Sequence, residues 1–431
     1  MMSSTIHSTI DAVWRIESAR LIAGLTRLVR DIGLAEELAQ DALVAALEQW
    51  PAAGVPQNPG AWLMATAKHR AIDHIRRDKL LERKHAEIGR EIEAQQQRST
   101  PDLDAALDDD FGDDLLRLMF TTCHPVLSSE ARVALTLRLL GGLTTEEIAR
   151  AYLVPEPTIA QRIVRAKRTL AEAQVPFEVP RGEELSARLA SVLEVVYLIF
   201  NEGYSATAGD DWMRPGLCED ALRLGRILAE LAPHEPEVHG LVGLMEIQAS
   251  RLRARTGPRG EPILLLDQNR ILWDHVLIRR GLACLERAEK LGGTLGPYAL
   301  QAALAACHAR ARQPGETDWP RMAFLYEALA RVAPSPVVEL NRAVAHSMAF
   351  GPAAGLEIVD ALISEGALEG YHLLPSVRAD FLMKLNRWDE ARSELEHAAS
   401  LARNARERDL LLERAQLCDA EAGSPNPPSR P

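Results

Sequence analysis

Apolar residues recur along the chain at the three-and-four spacing of amphipathic helices, without convincing strand alternation, and this predicts an all-α fold. The pattern is sharpest over 142–170, GLTTEEIARAYLVPEPTIAQRIVRAKRTL. Thr144 and Glu147 have the spacing of a capping box, so a short helix starts there. Pro157 suits the first position of a second helix, because it lacks the N–H group that such a position leaves unbonded. Two helices on a tight turn predict a helix-turn-helix. On the second helix Ile159, Ile163, Ala166 and Leu170 share one face, and Thr158, Gln161, Arg162, Arg165 and Arg168 share the other. Upstream, 35–50 (AEELAQDALVAALEQW) reads as an acidic amphipathic helix, and 61–84 keeps Leu63, Ala67, Ala71 and Ile75 on one face.

From about 183 to 417 the pattern predicts helical pairs: 217–231 with 236–253, 276–291 with 297–312, 321–332 with 336–348, 352–363 with 371–385, and 388–402 with 405–418. Starts at Arg321, Ala353 and Trp388 recur at roughly the 34-residue period of tetratricopeptide repeats. The phrases LAPHEPEV (231–238) and VAPSPVV (332–338) occupy matching places in two pairs. A non-repetitive all-α domain is the competing reading. Two stretches interrupt the helices: NEGYSATAG (201–209), which should cap the preceding apolar helix at Gly203, and 253–274, an apolar run inside a polar loop.

The polar faces carry chemistry suited to nucleic acid. Arg pairs two-pronged with guanine and Gln with adenine, and all of Thr158, Gln161, Arg162, Arg165 and Arg168 can hold phosphate. The helix over 61–84 crowds Lys68, Arg70, Arg76, Arg77, Lys79, Arg83 and Lys84 on its surface, with Asp73 spaced to brace Arg70 and Arg77. Trp62 at its start is either a core residue or a platform for an unpaired base. The Pro/Gly loop 51–60 presents Gln57 and Asn58, amides suited to a base edge, unless it is a plain surface connection.

Between these segments Asp102, Asp104, Asp108, Asp109, Asp110, Asp113 and Asp114 fall in a stretch that self-repels and should not pack on its own. A length of 431 residues fits two to four domains, and a net charge of −12 argues against a free-standing duplex binder. It suits a subunit whose DNA contacts count inside a larger assembly. The five cysteines, 123, 218, 284, 307 and 418, lack CxxC spacing, so neither a disulfide framework nor a metal site is expected, and a cytoplasmic setting fits them. No signal peptide or membrane span is read, since the apolar run 186–200 is too short. Catalytic readings fail. His234 and His239 are at i,i+5 with Pro236 between them, where a zinc-protease helix needs i,i+4. Cys123 beside His124 lacks an orienting group, no phosphate-cradling loop or nucleophile elbow occurs, and Gly141-Gly142 reads as the turn into the helix-turn-helix. No enzyme activity and no cofactor are expected.

In this order, an acidic helix, a WL…AIDHIRR helix, an Asp-rich linker and a terminal helix-turn-helix ending in RAKRTL, the first 175 or so residues resemble a bacterial sigma factor of the extracytoplasmic-function type, reduced to regions two and four. The resemblance implies core RNA polymerase and promoter DNA as partners. It places Glu37, Gln40 and Asp41 on the polymerase-docking helix. It assigns Gln57, Asn58, Trp62, Lys68, Arg70, Arg76 and Arg77 to reading and melting the minus-ten element, and Thr158, Gln161, Arg162, Arg165 and Arg168 to the minus-thirty-five element. Lys68 and His69 stand where the family often has Arg-Asn. The acidic linker is either a solvated tether or, as in these factors, a phosphate mimic threading the RNA channel. Asn201, Glu202, Gly203, Tyr204, Asp267, Gln268, Arg270, Trp273 and Asp274 are similar to the domain that follows region four in a subgroup with a tetratricopeptide-like extension. The implied domains are region two (10–85), linker (86–112), region four (113–175), a helical extension (183–290), repeats (291–420) and a disordered tail (421–431). The extension is expected to regulate activity, with a small protein or peptide as its partner. The rival is a one-component helix-turn-helix regulator that senses a ligand through its repeats. Such a regulator has no need of 35–50 and 61–77. A third reading, a scaffold with an incidental helix-turn-helix, requires both basic faces to be accidental.

Overall fold

A computed structural model describes residues 2–88, 111–206, 212–258, 260–292 and 295–422. Most of the expected linker and tail, and the side chains of Lys79, Arg83 and Lys84, lie outside the described residues. Among those described, eighteen α-helices, some 3-10 turns and one isolated bridge between Thr256 and Pro262 make up the regular structure, as the all-α pattern predicts. The chain divides into two compact units, 1–196 and 197–431.

In the first unit α1 (Met2–Val29), α2 (Ile32–Ala53) and α3 (Pro59–Ile88) pack on one another. Their core holds Leu21, Leu25, Ala35, Ala39, Trp50, Leu63 and Ala67. Ala at 35, 39, 42 and 46 lets α2 approach its neighbours closely, which is why a helix with so little aliphatic bulk is buried along one side. The 51–60 loop is shorter than its composition suggests: Pro51 lies inside the last turn of α2, and Gly54, at φ 86°, takes the left-handed position that ends it. Next come α4 (Phe111–Thr122), α5 (Ser129–Leu139), α6 (Thr145–Ala151) and α7 (Glu156–Glu172), followed by α8 (Glu183–Tyr204). Helix α7 begins one residue before Pro157. Asp113 and Asp114 do not behave as solvated tether. Asp114 is buried in α4, where Arg117 (2.7 Å) and Arg27 of α1 (3.2 Å) pair with it. Asp113 pairs with Arg117 at 3.7 Å.

The first half of α8 belongs structurally to the helix-turn-helix layer. Arg188 donates to the Phe120 carbonyl (2.9 Å), Ser191 Oγ donates to that of Cys123 (2.6 Å), and Arg132 of α5 reaches Ser191 (2.5 Å) and Glu194 (3.0 Å). These bonds satisfy carbonyls at the end of α4 that its own helix leaves open.

The second unit contains α9 (Pro215–Leu231), α10 (Pro236–Ala249), α11 (His275–Leu291), α12 (Pro297–Arg310), α13 (Trp319–Val332), α14 (Pro336–Phe350), α15 (Pro352–Ser364), α16 (Leu373–Lys384), α17 (Trp388–Leu401) and α18 (Ala405–Ala422). Consecutive helices pack as hairpins, and the periodicity located each within a few residues. Gly203 does not cap α8, which runs on to Tyr204. Its missing side chain makes room for α9, since a Cβ there would lie 2.7 Å from the Cys218 amide nitrogen. Between α10 and α11 the polar loop is built of short 3-10 turns, Leu252–Ala254, Leu265–Asp267 and Arg270–Leu272, and Asp274 ends it by accepting from the amides of Val276 (2.8 Å) and Leu277 (3.1 Å).

Candidate nucleic-acid interface

The capping box at Thr144 forms in both directions: its hydroxyl accepts from the Glu147 amide (3.1 Å), and the Glu147 carboxylate accepts from the Thr144 amide (2.8 Å). The other Glu147 oxygen accepts from Arg15 of α1 at 2.6 Å, so the same residue starts α6 and ties it to the first helical layer. The turn to α7 passes through Leu153 at φ 51°, a left-handed position unusual for a branched side chain. On α7 Ile159, Ile163, Ala166 and Leu170 are buried, as their spacing requires. Thr158, Gln161, Arg165 and Arg168 are exposed and Arg162 is half-buried. Together with Ser128 and Glu130 at the start of α5, all but Arg168 line an open groove of about 420 Å³. Arg168 is engaged by Glu172 (2.6 Å), an exposed pair of the kind that exchanges readily for a phosphate.

The second polar surface lies at the start of α3. Asn58 is the N-cap there, its side-chain oxygen accepting from the Ala61 amide (3.1 Å), which leaves its amide nitrogen uncommitted. Asn58, Gly60, Met64 and Lys68 of this segment, with Glu17 and Arg20 of α1, line a groove of about 520 Å³. Glu17 and Arg20 carried no local signal, because α1 supplies them from about forty positions upstream. Gln57, Arg76 and Arg77 are exposed, and Lys68 is half-buried. Trp62 is neither fully in the core nor fully exposed. It is half-buried, with its ring against the edge of the fully buried Trp50 (centroids 5.3 Å apart, planes at 68°). Arg70 is not braced by Asp73 but reaches Asp41 on α2 (3.1 Å).

The third surface is α2. Glu37, Asp41, Val44 and Glu48 form an exposed, largely acidic line at helical spacing. Gln40 is turned away from that line and donates to Glu36 (2.8 Å). Glu36 is a residue the sequence did not single out. Only 4% exposed, it accepts from Arg138 Nε of α5 (2.6 Å) and from Lys167 Nζ on the polar helix α7. It therefore latches the helix-turn-helix layer to α2.

Cys123, His124 and His239 are engaged within the fold. Burial pushes the Cys123 thiol up, and the thiol lies against Thr136 Oγ1 (3.4 Å). His124 Nδ1 accepts from the Val126 amide (3.1 Å). His239 Nε2 lies 3.0 Å from the Pro233 carbonyl. Among the described residues no cluster of three metal-ligating side chains occurs, and no helix is long and apolar enough to cross a membrane.

Residues 16–80 match the family described as Sigma-70 region 2, residues 117–170 match Sigma-70 region 4, and residues 188–289 match a family of unknown function, DUF6596. An uncharacterized protein of Rhizobium meliloti is 42% identical over 390 residues, covering 90% of both chains. The probable ECF RNA polymerase sigma factor SigI of Mycobacterium tuberculosis is 27% identical over 173 residues, which is 40% of this chain and 58% of that one. The two grooves and the exposed line on α2 all fall within, or within a few residues of, the two sigma matches.

Proposed function

We propose that the chain, whose residues 16–80 and 117–170 match Sigma-70 regions 2 and 4, is a promoter-specificity subunit of the extracytoplasmic-function type, working in the cytoplasm, with a C-terminal helical extension that regulates it. The observation that carries this reading is the division of labour within the first unit, where an acidic exposed line on α2, a groove at the start of α3 and a polar face on α7 lie on three separate helices. A repressor needs only the last of these.

In this reading Glu37 and Asp41 meet a basic surface of core polymerase, while Gln40 acts indirectly by orienting Glu36. Region two, about 10–85, separates the strands. Gln57 and the amide nitrogen of Asn58 address a base edge, the outer face of Trp62 takes an unpaired base, and Lys68, Arg70, Arg76 and Arg77 follow the backbone. Region four, about 113–175, puts α7 in the major groove, where Gln161, Arg162 and Arg165 reach bases and Thr158 and Arg168 hold phosphate. The helical hairpins beyond 183 form an interaction array of the tetratricopeptide kind, suited to a peptide or small protein. No covalent step is involved.

Capture of core polymerase followed by run-off transcription tests the reading directly. The full-length chain should bind core polymerase and start transcripts only in its presence; DNA binding and repression without polymerase would overturn it. Asp41→Lys should weaken capture, and wild-type capture by the folded variant would remove α2 from the docking role. Asn58→Ala and Trp62→Ala should reduce permanganate reactivity of unpaired thymines while leaving upstream duplex contacts intact.

A further inference from the structure

Around the indole of Trp273, in the second unit, the chain gathers cations and donors that its own acids leave unpaired. Arg270 lies with its guanidinium carbon 4.6 Å from the Trp273 ring centroid and Arg251 with its own at 5.9 Å. Arg255 stacks on Tyr204 at 3.4 Å, and Arg251 stands 5.8 Å from the same ring. Arg251 and Arg255 are only 8% and 7% exposed. None of the three makes an ion pair among the described residues. The carboxylates that influence them act at longer range, Glu407 on Arg255 and Glu316 on Arg270. Both are otherwise engaged, Glu407 with His372 (3.4 Å) and Glu316 with the Arg312 amide (2.9 Å).

Arg255 is satisfied in part by the Tyr204 carbonyl, and Nη1 of Arg270 by those of His308 (2.6 Å) and Ala311 (2.7 Å). The remaining donors are unmatched. Nε and Nη2 of Arg270, Nε of Arg251 and Nε1 of Trp273 are all buried without a hydrogen-bond partner; Nδ1 of His308, a donor or an acceptor according to its tautomer, is buried and unpartnered too. Guanidinium does not escape its burial by losing a proton at neutral pH, and an uncompensated buried charge is strongly destabilising. Nε–H and Nη2–H of one arginine form the side edge of the fork that grips two oxygens of a carboxylate or phosphate at once. Two residues before Arg270, Oε1 of Gln268 is likewise buried without a partner, while its amide nitrogen donates to the Ile263 carbonyl (3.1 Å).

We propose that this cluster is a binding site for a small oxyanion, a carboxylate or phosphate whose paired oxygens are taken by the Nε/Nη2 edge of Arg270, with Arg251 and Trp273 as further donors. Gln268 Oε1 then accepts from a hydroxyl or ammonium group of the same ligand. The second unit is thus a receptor for an anionic metabolite as well as a stack of hairpins. The assignment stands whether or not the chain directs polymerase, because none of its residues is in the promoter-reading surfaces.

The dialysed full-length protein is titrated with inorganic phosphate and, separately, with malate, against chloride at matched ionic strength. Calorimetry, melting temperature and the indole N–H resonance of Trp273, assigned with Trp273→Phe, are followed. Saturable binding that moves this resonance and raises the melting temperature by on the order of 3 °C at tenfold saturation is expected. Response to phosphate alone marks a phosphate-bearing ligand, and response to malate alone marks a hydroxycarboxylate. Arg270→Lys, which keeps the charge and loses the fork, should weaken binding roughly tenfold or more. The proposal is overturned if neither anion binds saturably, if binding leaves the Trp273 resonance in place, or if a folded Arg270→Lys protein binds as wild type. The resonance test needs no arginine variant.

Discussion

Glu36 is one carboxylate facing two cations from two other helices, and nothing near it in sequence announces this. Beside Glu37 it reads as half of a solvated acidic pair, yet Glu37 is exposed and Glu36 buried. Its partners Arg138 and Lys167 lie more than a hundred positions away, so only the folded chain brings them together. Replacing it with Gln keeps the shape and removes the counter-charge, and should cost about 3 kcal/mol in urea unfolding. A double-mutant cycle with Lys167→Met should show coupling of about 1–3 kcal/mol. His308 offers a second test at this scale. Burial, followed by the charges of Arg251 and Arg270, holds its pKa down to about 4. Unfolded, it titrates near 6.5, so between about pH 6.5 and 4 the unfolded chain binds the extra proton. Stability should therefore fall as pH drops through that window, by about 3 kcal/mol for this group, and level off below it. His308→Gln should flatten that part of the stability profile measured without added oxyanion.

At the scale of the element, what was legible depended on how many sides a helix buries. α7 buries one face, so its four apolar positions and its polar face could both be read from spacing alone. α1 was missed because Ile10, Ala19, Leu21, Ile22, Ala23 and Leu25 are buried in more than one direction, as α1 packs against α2, α3 and α4, and no single stripe remains. The loop before α3 was misjudged for a related reason: Pro51 suggests a break, but a helix's last turn tolerates it when the chain ends soon after at Gly54. For α7, Arg165→Ala and Arg162→Ala should each cost about 1–3 kcal/mol of promoter affinity if they read bases. Phosphate contacts would instead weaken all sequences alike and reduce the salt slope by about one. Leu153, held at φ 51°, predicts that Leu153→Asn stabilises the helix-turn-helix by about 1 kcal/mol, observable as a raised melting temperature.

For the molecule as a whole, the boundary between reader and extension is not where composition puts it. Residues 175–183 look like the linker, but Arg188, Ser191 and Glu194 of α8 close the end of α4 and hold Arg132. A chain ending after Pro180 leaves those groups unsatisfied and should unfold about 2–4 kcal/mol more easily than one ending after Tyr204. Comparison of the two by calorimetry checks it; equal stability would return the boundary to residue 180. Loss of promoter activity on cutting at 180 would accordingly say little about regulation, whereas a cut after Tyr204 would.

The Glu36 latch also makes the first unit an under-length ruler. From Glu36 to the end of α2 the rise is about 26 Å at 1.5 Å per residue. A few residues of loop then lead to Asn58, so while the latch is closed Asn58 lies no more than about 45 Å from Glu36, whose partner Lys167 is on α7. Promoter elements centred 25 base pairs apart lie about 85 Å from one another at 3.4 Å per step. The 23 steps of chain from Ile88 to Phe111 span at most about 80 Å, and that reach is open only after Glu36 has released Arg138 and Lys167, Asp114 has released Arg27, Glu147 has released Arg15 and α4 has left α1. A polymerase-bound chain that must open the latch to span both elements binds its promoter with an affinity reduced by the opened fraction. A substitution that weakens the latch should accordingly do two opposite things at once, lowering the stability of the protein while tightening the grip of its complex with polymerase on a two-element promoter.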